Sequence, residues 1–251
     1  MNNKLDNIND LLRRALASQV EMGLSEVVIS RKTKKRFESD GQSSVASVQV
    51  SELFPDLSTE SLGHAEYESL DSHNAAICNC LKCPLGSTRN KFVYGVGNPN
   101  AKIVFIGEGP GREEDLKGEP FVGQAGKLLD KILAAINFDR TQVYIANIVK
   151  CRPPENRPPL PAEMDACFPY LVEQLRLLKP KLICALGRTA AMGLLKTSAS
   201  LGNMRGKWHD FKGIKVMVTY HPAALLRNPE WKKDTWEDMK KLRAHYDELV
   251  N

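Results

Sequence analysis

Ile103-Val-Phe-Ile-Gly-Glu-Gly-Pro-Gly111 is the stretch on which the fold turns, because four apolar residues run directly into a glycine-rich turn. Such a run, bounded by turn residues, reads as a short buried strand. Three more follow downstream: Val143-Tyr-Ile-Ala146, Leu182-Ile-Cys-Ala-Leu186 and Ile214-Lys-Val-Met-Val218. Between them lie longer amphipathic segments, which predict helices over 124–136, 162–178 and 188–195, with a last helix over 231–249. Strands alternating with helices imply an α/β fold with a parallel sheet covered by helices on both faces.

In such a sheet, ligands bind at the carboxyl ends of the strands. The segments after the four runs are Gly107–Gly111, Asn147-Ile-Val-Lys-Cys-Arg-Pro-Pro154, Gly187-Arg-Thr189 and Tyr220-His-Pro-Ala-Ala-Leu-Leu-Arg-Asn-Pro229. All four are rich in polar, glycine or proline residues, and the alternation sends all four to one edge. Two nucleotide-loop readings fail there. Gly107, Gly109 and Gly111 are spaced by two and so miss G-x-G-x-x-G, and Pro110 removes an amide that a phosphate would need. Gly126-Lys127 resembles part of a P-loop, but Phe121 stands where its first glycine belongs and Leu128 where its Ser/Thr belongs.

The remaining sequence sets the surroundings. Of 251 residues, 42% are hydrophobic and 26% charged, the balance of a soluble globular protein. No run approaches the roughly 18 apolar residues of a membrane helix. Residues 1–10 are polar and offer no signal-peptide core, which makes the cytoplasm the expected compartment. A net charge of +5 suits a polyanionic partner such as nucleic acid without requiring one. Residues 1–28 are expected to hold an amphipathic helix and 29–73 a disordered linker containing the basic run Arg31-Lys-Thr-Lys-Lys-Arg36, which leaves 74–251 as the folded domain. That first helix could also dock on a repair or replication partner.

Six cysteines in a chain without a secretory signal argue for metal ligation over disulfides. Cys80-Leu-Lys-Cys83 is a C-x-x-C pair, and Cys151 and Cys167 flank a proline-rich loop. Together they suit zinc or an iron–sulfur centre. Cys184, inside a strand, reads as a core residue, and Cys78 competes with Cys80 as a ligand.

In combination these motifs resemble the family 4 uracil-DNA glycosylases. The likeness rests on Gly107-Glu-Gly-Pro-Gly-Arg-Glu-Glu-Asp115, Pro120-Phe-Val-Gly-Gln-Ala-Gly-Lys-Leu-Leu129, Asn147–Pro154 with Asn156-Arg157, and His221-Pro-Ala223 with Arg227-Asn-Pro229. It spans about residues 75–250. The resemblance implies a three-layer α/β/α sandwich around a four-stranded parallel sheet, a [4Fe–4S] cluster on Cys80, Cys83, Cys151 and Cys167, and uracil-containing DNA as the partner of a monomer.

It also implies the site. Uracil must be flipped out of the stack into a pocket. By analogy Phe121 is the stacking ring, Asn147 reads uracil N3–H and O4, and His221 stabilises charge developing on O2. Glu108 is left to orient water or to stabilise the sugar cation. Gly107, Gly109 and Arg227 complete the substrate contacts, and Leu225-Leu226-Arg227 supplies the wedge that replaces the flipped base. Gly109 and Gly111 stand where better-known uracil glycosylases carry an Asp and a Tyr, so water activation and thymine exclusion stay unassigned. No motif places a lysine for a lyase step, which predicts a monofunctional enzyme. A covalently trapping branch carries a His beside the Asn147 motif. No His lies between Asn147 and Pro161 here. A non-catalytic DNA-binding module is the rival of another class.

Overall fold

The computed structural model describes residues 67–250, and elements are numbered from the first of these. The helix and linker expected before residue 67 lie outside the described residues. The packed body opens earlier than residue 74. Helix α1 (Leu70–Ile77) starts inside the stretch read as linker, with the Ser69 hydroxyl capping the Ser72 amide. His73 and Ile77 are its buried residues. With so few apolar positions, its periodicity is too weak to read from sequence.

The four apolar runs form the strands β2 (Ile103–Gly107), β3 (Tyr144–Asn147), β4 (Leu182–Leu186) and β6 (Ile214–Thr219). Three parallel pairings join them in the order β3-β2-β4-β6. The sheet is nonetheless six-stranded and mixed rather than four-stranded and parallel. β1 (Val96–Gly97) pairs antiparallel with β3, and β5 (Trp208–Phe211) antiparallel with β6. Both added strands lie at sheet edges, where one side needs no partner. β1 is two residues long, and Trp208-His-Asp-Phe211 carries two polar residues, so neither has an apolar run to announce it. The β5–β6 turn at Lys212-Gly213 holds both residues at positive φ, 51° and 83°, the geometry of a tight hairpin.

Side chains alternate across the central strands with the period of two that a pleat imposes. Val104, Ile106, Ala146, Ile183, Ala185, Val216 and Val218 face one core with Leu171, Leu175 and Leu178 of α5 (Pro161–Leu178) and Ala190, Ala191 and Leu194 of α6 (Arg188–Leu195). Ile103, Phe105, Ile145, Leu182, Cys184 and Met217 face the other, with Leu129 and Leu133 of α4 (Gln124–Ala135) and Met239 and Leu242 of α9 (Lys232–Val250). The expected three layers are therefore present, and Cys184 is the core cysteine its strand position implied. Shorter helices fill the connections: α2 (Leu85–Thr88), α3 (Arg112–Lys117), α7 (Leu201–Met204) and α8 (Pro222–Arg227). Among the described residues no helix is long and apolar enough to cross a membrane.

The register brings Gly107 opposite Asn147, and the Gly187 amide donates to the Thr219 carbonyl at 2.8 Å. The ends of all four parallel strands thus share one edge.

Candidate active site

Gly107 closes β2 where there is no room for a side chain. A Cβ there would lie 2.5 Å from Asn147 Oδ1 and 2.6 Å from the Phe121 ring. Asn147, the last residue of β3, is only 2% exposed, and its Oδ1 is a buried acceptor without a donor among the described residues. Such an atom costs free energy until something donates to it. The Phe121 ring is buried as well, and its centroid lies 5.4 Å from that of His221 at an interplanar angle of 31°. Three side chains separated by up to a hundred residues of chain meet here, with Gly107 between two of them.

Phe121 stands on a strained backbone, φ +54°, in a region that costs a non-glycine residue about 1–3 kcal/mol. Two side chains hold it there. The Glu114 carboxylate accepts the Val122 and Gly123 amides through Oε1, both at 2.9 Å, and the Gly111 amide through Oε2 at 3.1 Å. Arg140 donates to the carbonyls of Phe121 (2.9 Å) and Pro120 (2.6 Å) while pairing with Asp130 at 2.8 Å. Neither was singled out from the sequence. Both sit in ordinary polar surroundings, and only the fold aims them at one turn.

His221 precedes α8, and its Nδ1 accepts the Ala223 amide at 3.1 Å. This cap fixes the tautomer: the proton of the neutral ring must sit on Nε2, which becomes a donor. Burial pushes its pKa down to about 4, with the Arg227 charge acting in the same direction and Glu114 against it. The ring is therefore neutral near pH 7. Gly187, at φ +90°, passes so close that a Cβ would lie 2.9 Å from His221 Cβ. From below, Thr219 at the end of β6 donates its hydroxyl to the buried Asp238 at 2.7 Å, and Arg205 pairs with the same carboxylate at 2.9 Å. Burial raises the Asp238 pKa, while those two partners lower it.

The other expected residues spread around this centre. Glu108 is half-buried next to Gly107. Gly109 meets Val149 and Pro153 rather than Phe121 or His221. Arg227 is exposed at the end of α8. Of the expected wedge, Leu225 is a core residue at 1% exposure, whereas Leu226 is 47% exposed. Leu226 and Arg227 are exposed together at the end of α8, so they are what the surface can present.

Four of the cysteines gather around the loop that follows Asn147. Cys80 and Cys83 lie between α1 and α2, Cys151 just past β3 and Cys167 on α5. Burial raises both the Cys151 thiol and Cys167, the latter to about 11, and each interacts electrostatically with other members of the group. Donors already point at the sulfurs: Tyr170 Oη to Cys80 at 3.2 Å, Arg89 Nη1 to Cys151 at 3.4 Å and the Lys150 amide to Cys167 at 3.3 Å. Cys78 differs, for its thiol donates to the Ala75 carbonyl of its own helix at 3.5 Å. Among the described residues, no three His, Cys, Asp or Glu side chains close tightly enough around one point to hold a single ion.

The family model for the uracil DNA glycosylase superfamily matches residues 94–240. A Type-4 uracil-DNA glycosylase of Archaeoglobus fulgidus is 46% identical over 183 residues, covering 70% of this chain and 92% of that protein. One from Thermotoga maritima is 42% identical over 181 residues, covering 70% and 94%. A Type-5 uracil-DNA glycosylase of Pyrobaculum aerophilum is more distant, 29% identical over 185 residues with 61% and 81% covered. The strand-end constellation and these likenesses agree, and the chain belongs to the uracil-DNA glycosylase superfamily, in its type 4 branch.

Proposed function

We propose that this protein is a monofunctional uracil-DNA glycosylase, hydrolysing the N-glycosidic bond of a flipped-out deoxyuridine to release uracil and leave an abasic site. The observation that carries this reading is the buried, donor-less Oδ1 of Asn147 beside the Phe121 ring. Uracil N3–H supplies the missing donor, and the amide nitrogen of the same side chain can meet O4. Cytosine presents a lone pair at N3 and an amine at C4, so it leaves the pocket's polar atoms unpaired and is rejected.

His221 carries the electrostatic part. As the bond to the sugar breaks, negative charge collects on uracil O2, and a neutral imidazole held with Nε2–H outward donates to it without having to give up its proton. A ring already neutral at pH 7 costs less to bury than a cation would. Phe121 stacks on the base, and its strained turn is fixed in advance by Glu114 and Arg140. Glu108 accepts the Val149 amide through its backbone carbonyl, while its carboxylate makes no hydrogen bond or ion pair among the described residues, which leaves that carboxylate to orient water or to face the sugar cation. Leu226 is the side chain placed to fill the gap in the stack, with Arg227 beside it for a phosphate.

Cys80, Cys83, Cys151 and Cys167 would hold a [4Fe–4S] cluster. The donor set fits: four thiols, with hydrogen-bond donors from Tyr170, Arg89 and the Lys82 and Lys150 amides on their sulfurs. The cluster would cross-link the segment before β1 to the loop after β3 and to α5. Glycosidic hydrolysis moves no electrons, so its contribution is to hold that loop.

The test is incubation of the purified chain with a labelled oligonucleotide containing one uracil. Alkali-labile cleavage at the uracil with multiple turnovers is expected, and Asn147→Ala should lose about a hundredfold or more in rate, as when a preorganised transition-state contact is removed. Binding without an abasic site would leave the DNA-binding module as the function.

A further inference from the structure

Lys150 is fully buried, yet its ammonium meets only neutral oxygens. Nζ donates to the Asn147 carbonyl at 2.9 Å and to Gln174 Oε1 at 2.5 Å. No carboxylate pairs with it among the described residues. A buried ammonium in neutral surroundings is costly unless an opposite charge lies near. Cys151, the next residue in the chain, and Cys167 are two of the cysteines that would hold the cluster. The Lys150 backbone amide donates to Cys167 Sγ at 3.3 Å. Gln174 is fixed in turn, because its Nε2 donates to the Tyr94 carbonyl at 3.0 Å and its oxygen must therefore face Lys150.

We propose that Lys150 is a positioning residue for base reading: its ammonium locks the peptide of Asn147 at the end of β3, and the negative charge of the cysteine centre is what keeps that ammonium buried there. The inference rests on the glycosylase reading of Asn147. It gives the cluster a second task besides holding a loop, since its charge supports the strand end that reads the base. The chain of contacts is continuous, from Tyr94 through Gln174 and Lys150 to Asn147. On the far side the Ile148 amide donates to the Gly107 carbonyl at 3.0 Å. The peptide that carries the reading amide is thus held from two directions, by the neighbouring strand and by a cation. Phosphate contacts do not pass through Lys150, so DNA affinity should be insensitive to it.

The experiment uses the full-length, iron-loaded chain and Lys150→Met, which keeps the length and removes the charge. Measured are single-turnover uracil release, affinity for the uracil oligonucleotide, the reduction potential of the cluster and the melting temperature. A displaced reading group predicts a rate loss between about tenfold and a hundredfold, with affinity unchanged. Loss of a nearby cation predicts a lower cluster potential, because the more negative reduced state loses its support. An unchanged rate overturns the positioning role, and an unmoved potential overturns the link to the cluster. A drop in melting temperature alone, with rate and potential intact, reduces Lys150 to a structural residue and overturns both. If Lys150→Met does not fold, Gln174→Met removes the anchor of the ammonium and should show the same rate loss without loss of affinity. A wild-type chain that releases no uracil would sink the glycosylase reading instead, and the potential shift would still report whether Lys150 balances the cluster.

Discussion

At the scale of single residues, chemistry here is set by which atom faces which neighbour. His221 shows this most directly, since one backbone amide on Nδ1 dictates that Nε2 carries the proton. Its pKa, about 4 against an ordinary 6.5, also has a consequence for stability. Between those values the unfolded chain binds a proton at this position and the folded chain does not. The stability tied to this group is therefore complete above pH 6.5 and is lost as pH falls through 4, by up to about 3 kcal/mol. His73, also pushed down mainly by burial, acts in the same direction. Melting curves between pH 4 and 7 should therefore show a steep decline on the acid side, and His221→Gln should flatten part of it. An equal slope in the variant would mean that His221 is protonated in the folded protein and that the donor is an imidazolium.

Elements explain why the residues meet. Helix α4 packs against the Phe121 turn through Gly126, where a Cβ would lie 1.8 Å from the Phe121 carbonyl oxygen. That contact is with backbone and cannot be relieved by rotating a side chain. Gly126→Ala should force the turn away from α4, with a stability loss of about 1–3 kcal/mol as for other overpacked sites. It should also release the ring from His221, which a fall in uracil-release rate together with the melting temperature would register. The sequence pattern Phe121-Val-Gly-Gln-Ala-Gly126 resembled a failed phosphate loop. Its second glycine proves to serve helix-to-turn packing. The four parallel strands and the helices after them follow apolar runs closely, with β4 and α6 matching the expected bounds. β1, β5 and α1 escaped the reading because edge strands and half-exposed helices bury too little to leave a periodic mark.

Across the whole molecule, a cluster on the four cysteines would tie the segment before β1 to the sheet. Cys80 and Cys83 are contributed from one side, Cys151 and Cys167 from the other. Arg89 already bridges the two, donating to the Cys80 carbonyl at 2.6 Å as well as to Cys151 Sγ. Metal analysis of two variants would separate the candidate ligands. Cys78→Ala should keep the iron content and visible absorbance of the wild type, whereas Cys80→Ala should lose iron and lower the melting temperature. The loss expected is a few kcal/mol, comparable to removing a native cross-link. Retention of full iron by Cys80→Ala together with loss in Cys78→Ala would reverse the assignment.

The sequence by itself determined the α/β class, the common edge of the four strand-end segments and the family likeness, and it singled out Asn147, Phe121 and His221 as candidates, because apolar periodicity and short motifs are local properties. Only the tertiary structure decided that Asn147 Oδ1 lacks a donor among the described residues, that His221 carries its proton on Nε2 and that Leu225 is core while Leu226 is not. It alone brought Glu114 and Arg140 to the Phe121 turn, Asp238 to Thr219 and Lys150 to the Asn147 carbonyl. Such contacts join residues distant in the chain, and no period or spacing records them. They arise when the packing of helices on the sheet decides which polar atoms are buried together.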